Sequence, residues 1–269
     1  MIIFKSINKL NKEVNFKANV GFVPTMGALH KGHISLIKSS KLKCKKTLVS
    51  IFINPSQFNQ INDFKKYPRK LSRDIAILKK LKVDYLLIPK KNDIYKNKKN
   101  MKVSISKKDK ILCAKFRPGH FEGVLAVIKQ FLTHIKAKYI FLGEKDYQQI
   151  HLIKNVIKNN FNTKIIICKT IRLKNLLAYS SRNFLLSKKE INKASYVAKT
   201  TKKFFLKCKN NYKNLKKINN LKKKIESKGI KIEYLEVRNK KNLSINTNKS
   251  NFKIFVSFYL NNVRLIDNF

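Results

Sequence analysis

The chain has 269 residues, 43% of them hydrophobic, enough to bury a sizeable core as one large α/β domain or two smaller ones. Its net charge is +48, from 62 basic and 14 acidic residues, an excess that ordinarily points to nucleic acid or an anionic membrane. The distribution excludes a dedicated basic tail: lysines run from end to end, as in KLKCKK (41–46), KKNDIYKNKKNMK (90–102) and the region 213–224, and only seven basic residues are arginine.

Specific nucleic-acid surfaces rely on arginine for bidentate contacts, so no specific nucleic-acid partner is expected. A coding bias towards A and T accounts for the abundance of Lys, Asn, Ile and Phe, and nonspecific adhesion at low salt is expected either way. Cys44, Cys113, Cys168 and Cys208 show no ligand-like spacing and read as reduced thiols of a cytoplasmic protein, Cys168 as core packing. No apolar run approaches the ~20 residues of a spanning helix. The opening MIIFKSINKL is too short in its apolar part for a secretory signal.

Residues 2–19 predict a short strand and a helix with Ile7, Leu10 and Val14 on one face. Val20 to Val23 reads as a buried strand, followed by Pro24 and Gly27, then His30-Lys31-Gly32-His33 and an apolar-periodic helix (Ile34, Leu36, Ile37). A helix start presents unpaired N–H groups and the positive end of the dipole, a natural place for a phosphate. Two imidazoles three residues apart can both face that phosphate, with Gly32 allowing close approach. An isolated HxGH is equally compatible with two solvated histidines; the preceding PTMGAL argues against chance.

Thr47 to Ile53 predicts a strand covered on both faces, ending in Asn54-Pro55-Ser56-Gln57-Phe58, whose composition also suits an ordinary turn. Ser72 is a candidate N-cap for a helix to Leu81, on which Asp74 reads as a solvated carboxylate. Val83 to Ile88 is the next strand. Residues 90–110 predict an exposed excursion with one short strand at Met101 to Ile105. Arg117-Pro118-Gly119-His120-Phe121-Glu122-Gly123-Val124 places Arg117 and His120 at the entrance of a helix running from Val124 to Ile135. Tyr139 to Leu142 runs as a strand into Gly143-Glu144-Lys145-Asp146-Tyr147-Gln148-Gln149, where the Lys145 ammonium suits a phosphate oxygen.

With a further strand at Lys164 to Cys168, the alternation implies a parallel sheet whose ligands gather at the carboxyl ends of its strands. HxGH, NPSQF and GEKD each follow a strand on that edge. Beyond about residue 170 come lysine-rich helices, roughly Lys188 to Cys208 and Asn214 to Lys228, and strands Ile230 to Val237 and Phe252 to Leu260. At the junction, Tyr179-Ser180-Ser181-Arg182-Asn183 offers hydroxyls and a guanidinium able to wrap a triphosphate, or an ordinary helix-entry loop. The expected architecture is α/β: a Rossmann-like parallel-sheet domain over 1–170 and a smaller α+β lid domain over 171–269.

PTMGALHKGH, NPSQF, RPGHFEGV, GEKDYQQ, SSRN and the terminal RLIDNF together resemble the pantothenate synthetase (pantoate–β-alanine ligase) family of the HxGH nucleotidyltransferase superfamily. That resemblance implies ATP and Mg2+, pantoate and β-alanine as substrates, a pantoyl-adenylate intermediate, and a homodimer. It assigns His33, His30 and Lys145 to catalysis. ATP falls to Met26, Gly27, Ala28, Leu29, His30, Lys31, Gly32, His33, Gly143, Glu144, Lys145, Asp146, Ile171, Tyr179, Ser180, Ser181 and Arg182. Pantoate and β-alanine fall to Gln57, Gln149, Asn54 and Arg117. Asp74 takes at most a magnesium-proximal place.

The chain departs from the family where Asn175-Leu176 stands in place of the usual Asp-Gly and Tyr179 in place of a small apolar residue or methionine. If the replaced glycine has positive φ, Leu176 is strained. The alternatives are another HxGH nucleotidyltransferase, which would not need all these motifs, a lysine-rich nucleic-acid-binding protein, and a degenerate former enzyme retained for assembly.

Overall fold

A computed structural model describes residues 1–59, 61–95 and 103–269. The chain divides into two compact units, Met1–Lys169 and Thr170–Phe269. In the first unit, β1 (Ile2–Phe4), β2 (Val20–Thr25), β3 (Lys46–Ile51), β4 (Tyr85–Leu87), β5 (Tyr139–Gly143) and β6 (Lys164–Cys168) form one six-stranded sheet in the order β1-β4-β3-β2-β5-β6. Every described pairing in it is parallel. β2 and β3 are nearly continuous apolar runs because helices cover both faces of such a sheet.

The connecting helices are α1 (Ile7–Glu13), α2 (Lys31–Lys43), α3 (Ile61–Lys66), α4 (Leu71–Lys80), α5 (Lys91–Tyr95), α6 (Leu112–Phe116), α7 (His120–His134) and α8 (Tyr147–Asn160). Val23, Val49, Leu86 and Phe141 from the sheet pack with Leu29, Ile37 and Leu78 in one cluster; each such side chain contributes about 2 kcal/mol by burial. Strand order reverses about β2: β3, β4 and β1 lie to one side, β5 and β6 to the other. The carboxyl ends of β2 and β5 flank that switch point, where sheets of this kind bind ligands.

The second unit contains α9 (Lys188–Asn210), α10 (Ile218–Glu226) and the antiparallel sheet of β7 (Lys231–Asn239), β8 (Phe252–Leu260) and β9 (Val263–Asn268). A reciprocal cap starts α9: the Ser187 hydroxyl accepts from the Glu190 N–H while the Glu190 carboxylate accepts from the Ser187 N–H. Val197, Ile225, Val256 and Phe258 sit in this unit's core.

Several local expectations change. Helix α4 begins at Leu71 with Lys70 in the cap position and no side-chain cap, so Ser72 lies inside the helix. The strand expected at Met101 to Ile105 falls partly outside the described residues; 103–105 form no strand, and Lys107–Asp109 make a 3-10 turn. Tyr212–Lys217, expected partly as helix, is a 3-10 segment leading into α10. Asp74 is 1% exposed rather than solvated. All four cysteines are buried, and none of them forms a disulfide.

Candidate active site

The HxGH segment joins β2 to α2. Gly27 (φ 78°) and Ala28 (φ 51°) are both left-handed, which turns the chain sharply out of the strand. His30 then takes the N-cap position of α2, its Nδ1 accepting from the Gly32 N–H at 3.1 Å. An accepting Nδ1 places the proton of the neutral ring on Nε2. The His30 and His33 rings are stacked, with centroids 4.0 Å apart.

Burial, the neighbouring His33 and the Lys145 charge bring the His30 pKa down to about 2. Burial brings His33 down to about 4, with Asp146 opposing the shift and Lys145 adding to it. The Nδ1 of His33 is buried and has no hydrogen-bond partner among the described residues. Both rings are therefore neutral near pH 7, hydrogen-bonding imidazoles rather than resident cations.

GEKD follows β5 at the other side of the switch point. Glu144–Asp146 form a 3-10 turn into α8, and Lys145 Nζ lies 3.5 Å from Asp146 Oδ1. The fields of Lys145 and Asp146 reach the histidines, so HxGH and GEKD meet although more than a hundred residues separate them in the chain. Gln149 is in the first turn of α8, partly buried, beside the fully engaged Gln148. The Gln148 amide donates to the carbonyls of Asp109 and Ile111, and its Oε1 accepts from the Ala114 N–H.

The NPSQF turn and the start of α7 interlock. Arg117 Nη2 donates to the Gln57 carbonyl at 3.1 Å, His120 Nδ1 lies 2.6 Å from the same oxygen, and Arg117 Nη1 is 2.7 Å from His120 Nε2. A Cβ on Gly123 would lie 2.3 Å from the Ser56 carbonyl oxygen, so only glycine lets α7 approach this turn. Asn54, expected at the substrate, is fully buried. Its Nδ2 donates to the Gly123 carbonyl, and its Oδ1 accepts from Ser56 and from the Tyr95 hydroxyl. Asn54 therefore holds the turn that carries Gln57.

The sequence reading missed Asp74. Its Oδ2 accepts from the Ala28 N–H and its Oδ1 from the Leu29 N–H, both at 2.8 Å. These two N–H groups are thus occupied within the chain. Burial raises the Asp74 pKa and the two N–H bonds oppose that rise. A lone acid beside Lys70 and Arg73 carries the pattern of a solvated helix face, and no local signal marks its burial.

In the second unit, Ile171 and Tyr179 are partly buried, and the Tyr179 N–H donates to the Ile171 carbonyl. Ser180 caps a 3-10 turn over Ser181–Leu185, its hydroxyl accepting from the Arg182 N–H at 3.2 Å, and Ser181 is 8% exposed. Leu176 has φ 71°, so the residue replacing the family's glycine does sit in the left-handed region. Arg172 holds this turn: it donates to the Leu176 carbonyl and grips Asp267 with both Nη groups, at 2.6 and 2.8 Å. RLIDNF therefore contributes a brace for the Ile171–Asn183 segment.

A sequence model of the pantoate-beta-alanine ligase family matches residues 2–269. A pantothenate synthetase of Francisella tularensis subsp. mediasiatica is 42% identical, covering 98% of this chain and 94% of that one. One from F. tularensis subsp. novicida is also 42% identical, covering 100% and 97%. Among solved structures, the F. tularensis pantoate-beta-alanine ligase complexed with Beta-gamma ATP and β-alanine is 39% identical, with a TM-score of 0.84 over 100% of this chain and 97% of that chain. The Thermus thermophilus pantothenate synthetase is 26% identical, with a TM-score of 0.91 over 100% and 99%.

Proposed function

The chain belongs to the pantoate-beta-alanine ligase family, and from that premise we propose that it joins pantoate to β-alanine through a pantoyl adenylate made from ATP. The observation that carries this reading is the convergence of the two HxGH imidazoles with the GEKD lysine at the sheet's switch point. The relative solved in complex with Beta-gamma ATP and β-alanine supports ATP and β-alanine as substrates.

In the first step a pantoate carboxylate oxygen attacks the α-phosphorus, and the bond to the bridging oxygen of pyrophosphate breaks. In the second, the β-alanine nitrogen attacks the acyl carbon, AMP leaves with its oxygen, and the nitrogen sheds a proton. Neither step needs a covalent bond to the protein, so catalysis rests on positioning and charge stabilisation. His30 and His33 enter as neutral donors to the phosphate charge that grows at the α-phosphorus. His33 takes the role of acid as the triphosphate's negative charge raises its proton affinity.

Lys145 neutralises phosphate oxygens, and the loop from Met26 to Gly32 walls the nucleotide. The family resemblance assigns nucleotide contacts to Ser180, Ser181 and Arg182 as well, together with Ile171 and Tyr179. Gln57 and Gln149 orient pantoate. Arg117, held on the Gln57 carbonyl, fixes the side of the site that receives the carboxylates.

Mg2+ would travel with the nucleotide. The described residues assemble no group of three metal-ligating side chains, and both Asp74 oxygens are taken by backbone N–H groups. Phosphate oxygens and water are the ligands this ion favours, and it would spread the charge of the departing pyrophosphate. A cytoplasmic homodimer is the assembly the resemblance implies. Four buried thiols without a disulfide support a reducing compartment, and no helix among the described residues is long and apolar enough to cross a membrane.

The test is a steady-state assay of pyrophosphate release by the purified protein. Release that requires both ATP and pantoate, with pantothenate formed only when β-alanine is added, is the expected result. A folded protein that releases no pyrophosphate with pantoate would overturn the proposal.

A further inference from the structure

We infer that Asp74 is a positioning residue for the nucleotide site, holding the turn that delivers both histidines by filling the anion-binding hollow formed by the Ala28 and Leu29 N–H groups. The inference rests on the reaction proposed above. Successive N–H groups that converge through left-handed residues form a concave donor pair suited to an anion, and Gly27 and Ala28 supply those conformations. The occupant comes from the chain itself. Both carboxylate oxygens of Asp74 are used, one for each N–H, at 2.8 Å, and the residue is 1% exposed. A Cβ on Gly27 would lie 3.0 Å from Asp74 Oδ2, which shows how closely loop and carboxylate are fitted.

The anchor behind the carboxylate is rigid. Asp74 and Leu78 lie one turn apart on α4, and Leu78, fully buried, packs in the same cluster as Leu29. Helix α4 and the loop are thus joined twice, once by apolar packing and once by a charged pair of hydrogen bonds. His30 follows Leu29 directly and caps α2 through its own ring. The carboxylate therefore fixes the backbone immediately before the two imidazoles, and a shift there displaces both rings against the triphosphate.

A carboxylate accepts two N–H bonds in this geometry; an amide of the same shape accepts one and turns an NH2 group against the other donor. In Asp74→Asn, kcat for pantoate-dependent pyrophosphate release is expected to fall at least about tenfold, with KM for pantoate and β-alanine unchanged within about threefold. Hydrogen exchange should accelerate in the peptide spanning residues 26–33 and stay at the wild-type rate in β3 and α7. Asp74→Glu, which keeps the charge, should recover part of the loss.

A folded Asp74→Asn enzyme with wild-type kcat would overturn the inference. So would a loss of activity accompanied by faster exchange throughout the first unit, which is a general stability effect. If Asp74→Asn fails to fold, exchange in the wild-type protein decides. Slow exchange of the Ala28 and Leu29 amides supports the brace, and rates equal to those of open loops overturn it. A wild-type protein inactive with pantoate would instead count against the proposed reaction, leaving the exchange result to stand by itself.

Discussion

The stacked histidines carry a measurable cost in stability. A folded-state pKa of about 4 for His33, below its ordinary value of 6.5, means that the unfolded chain binds a proton the folded chain refuses. Between those two values the unfolded state carries more protons, so stability falls as pH is lowered from about 6.5 and the loss is complete below about 4. A displacement of that size corresponds to a loss on the order of 3 kcal/mol at most from this side chain. Urea midpoints measured from pH 7 to pH 4.5 should decline more steeply for wild type than for His33→Gln. Coincident slopes would show that His33 is not held neutral. His30, displaced in the same direction and capping α2 through Nδ1, adds to the slope in both proteins; the part of its displacement that comes from His33 is removed in the variant, which acts in the same direction as the expected difference.

Among the elements, the short antiparallel bridge between Arg172 and Ala178 carries identifiable strain. Leu176 closes its turn at φ 71°, a conformation that costs a β-carbon residue about 1 kcal/mol and glycine very little. Arg172 grips both the Leu176 carbonyl and Asp267, so the turn keeps its geometry whatever side chain it bears. Leu176→Gly is therefore expected to raise stability by roughly 0.5 kcal/mol, after allowing for glycine's greater freedom when unfolded. Thermal and urea denaturation would detect it, and a destabilised variant would contradict the strain. This strain was legible beforehand from Asn175-Leu176 standing in place of Asp-Gly.

Other elements were legible for equally local reasons. β6 and β8 end where their apolar runs do, and HxGH, NPSQF and GEKD each follow a strand because glycine, proline and polar residues end apolar runs visibly. β9 escaped notice because Arg264 and Asp267 interrupt its alternation; in the fold they pair with Glu233 and Arg172. Helices α5 and α6, five residues each, are too short to show a period. Asp74 and Asn54 look like surface and turn residues, and only their partners, 46 and 69 positions away, bury them.

For the molecule as a whole, the charge and the site are separate matters. In the second unit Arg172 is paired with Asp267, Arg238 with Glu236, and Arg264 with Glu233. The excess that remains is carried by lysines, which agrees with a distributed compositional load better than with a built nucleic-acid surface. The proposed function depends instead on two loops, distant in the chain, acting on one nucleotide. The most direct test is a double-mutant cycle on kcat/KM for ATP, using His33→Gln, Lys145→Ala and the pair. If both side chains act on the same triphosphate, each single change should cost about a hundredfold or more, and the double should fall short of their product by at least about tenfold, a coupling of about 1.4 kcal/mol. Losses that simply multiply, or a Lys145→Ala enzyme of normal activity, would contradict the convergence on which the account rests.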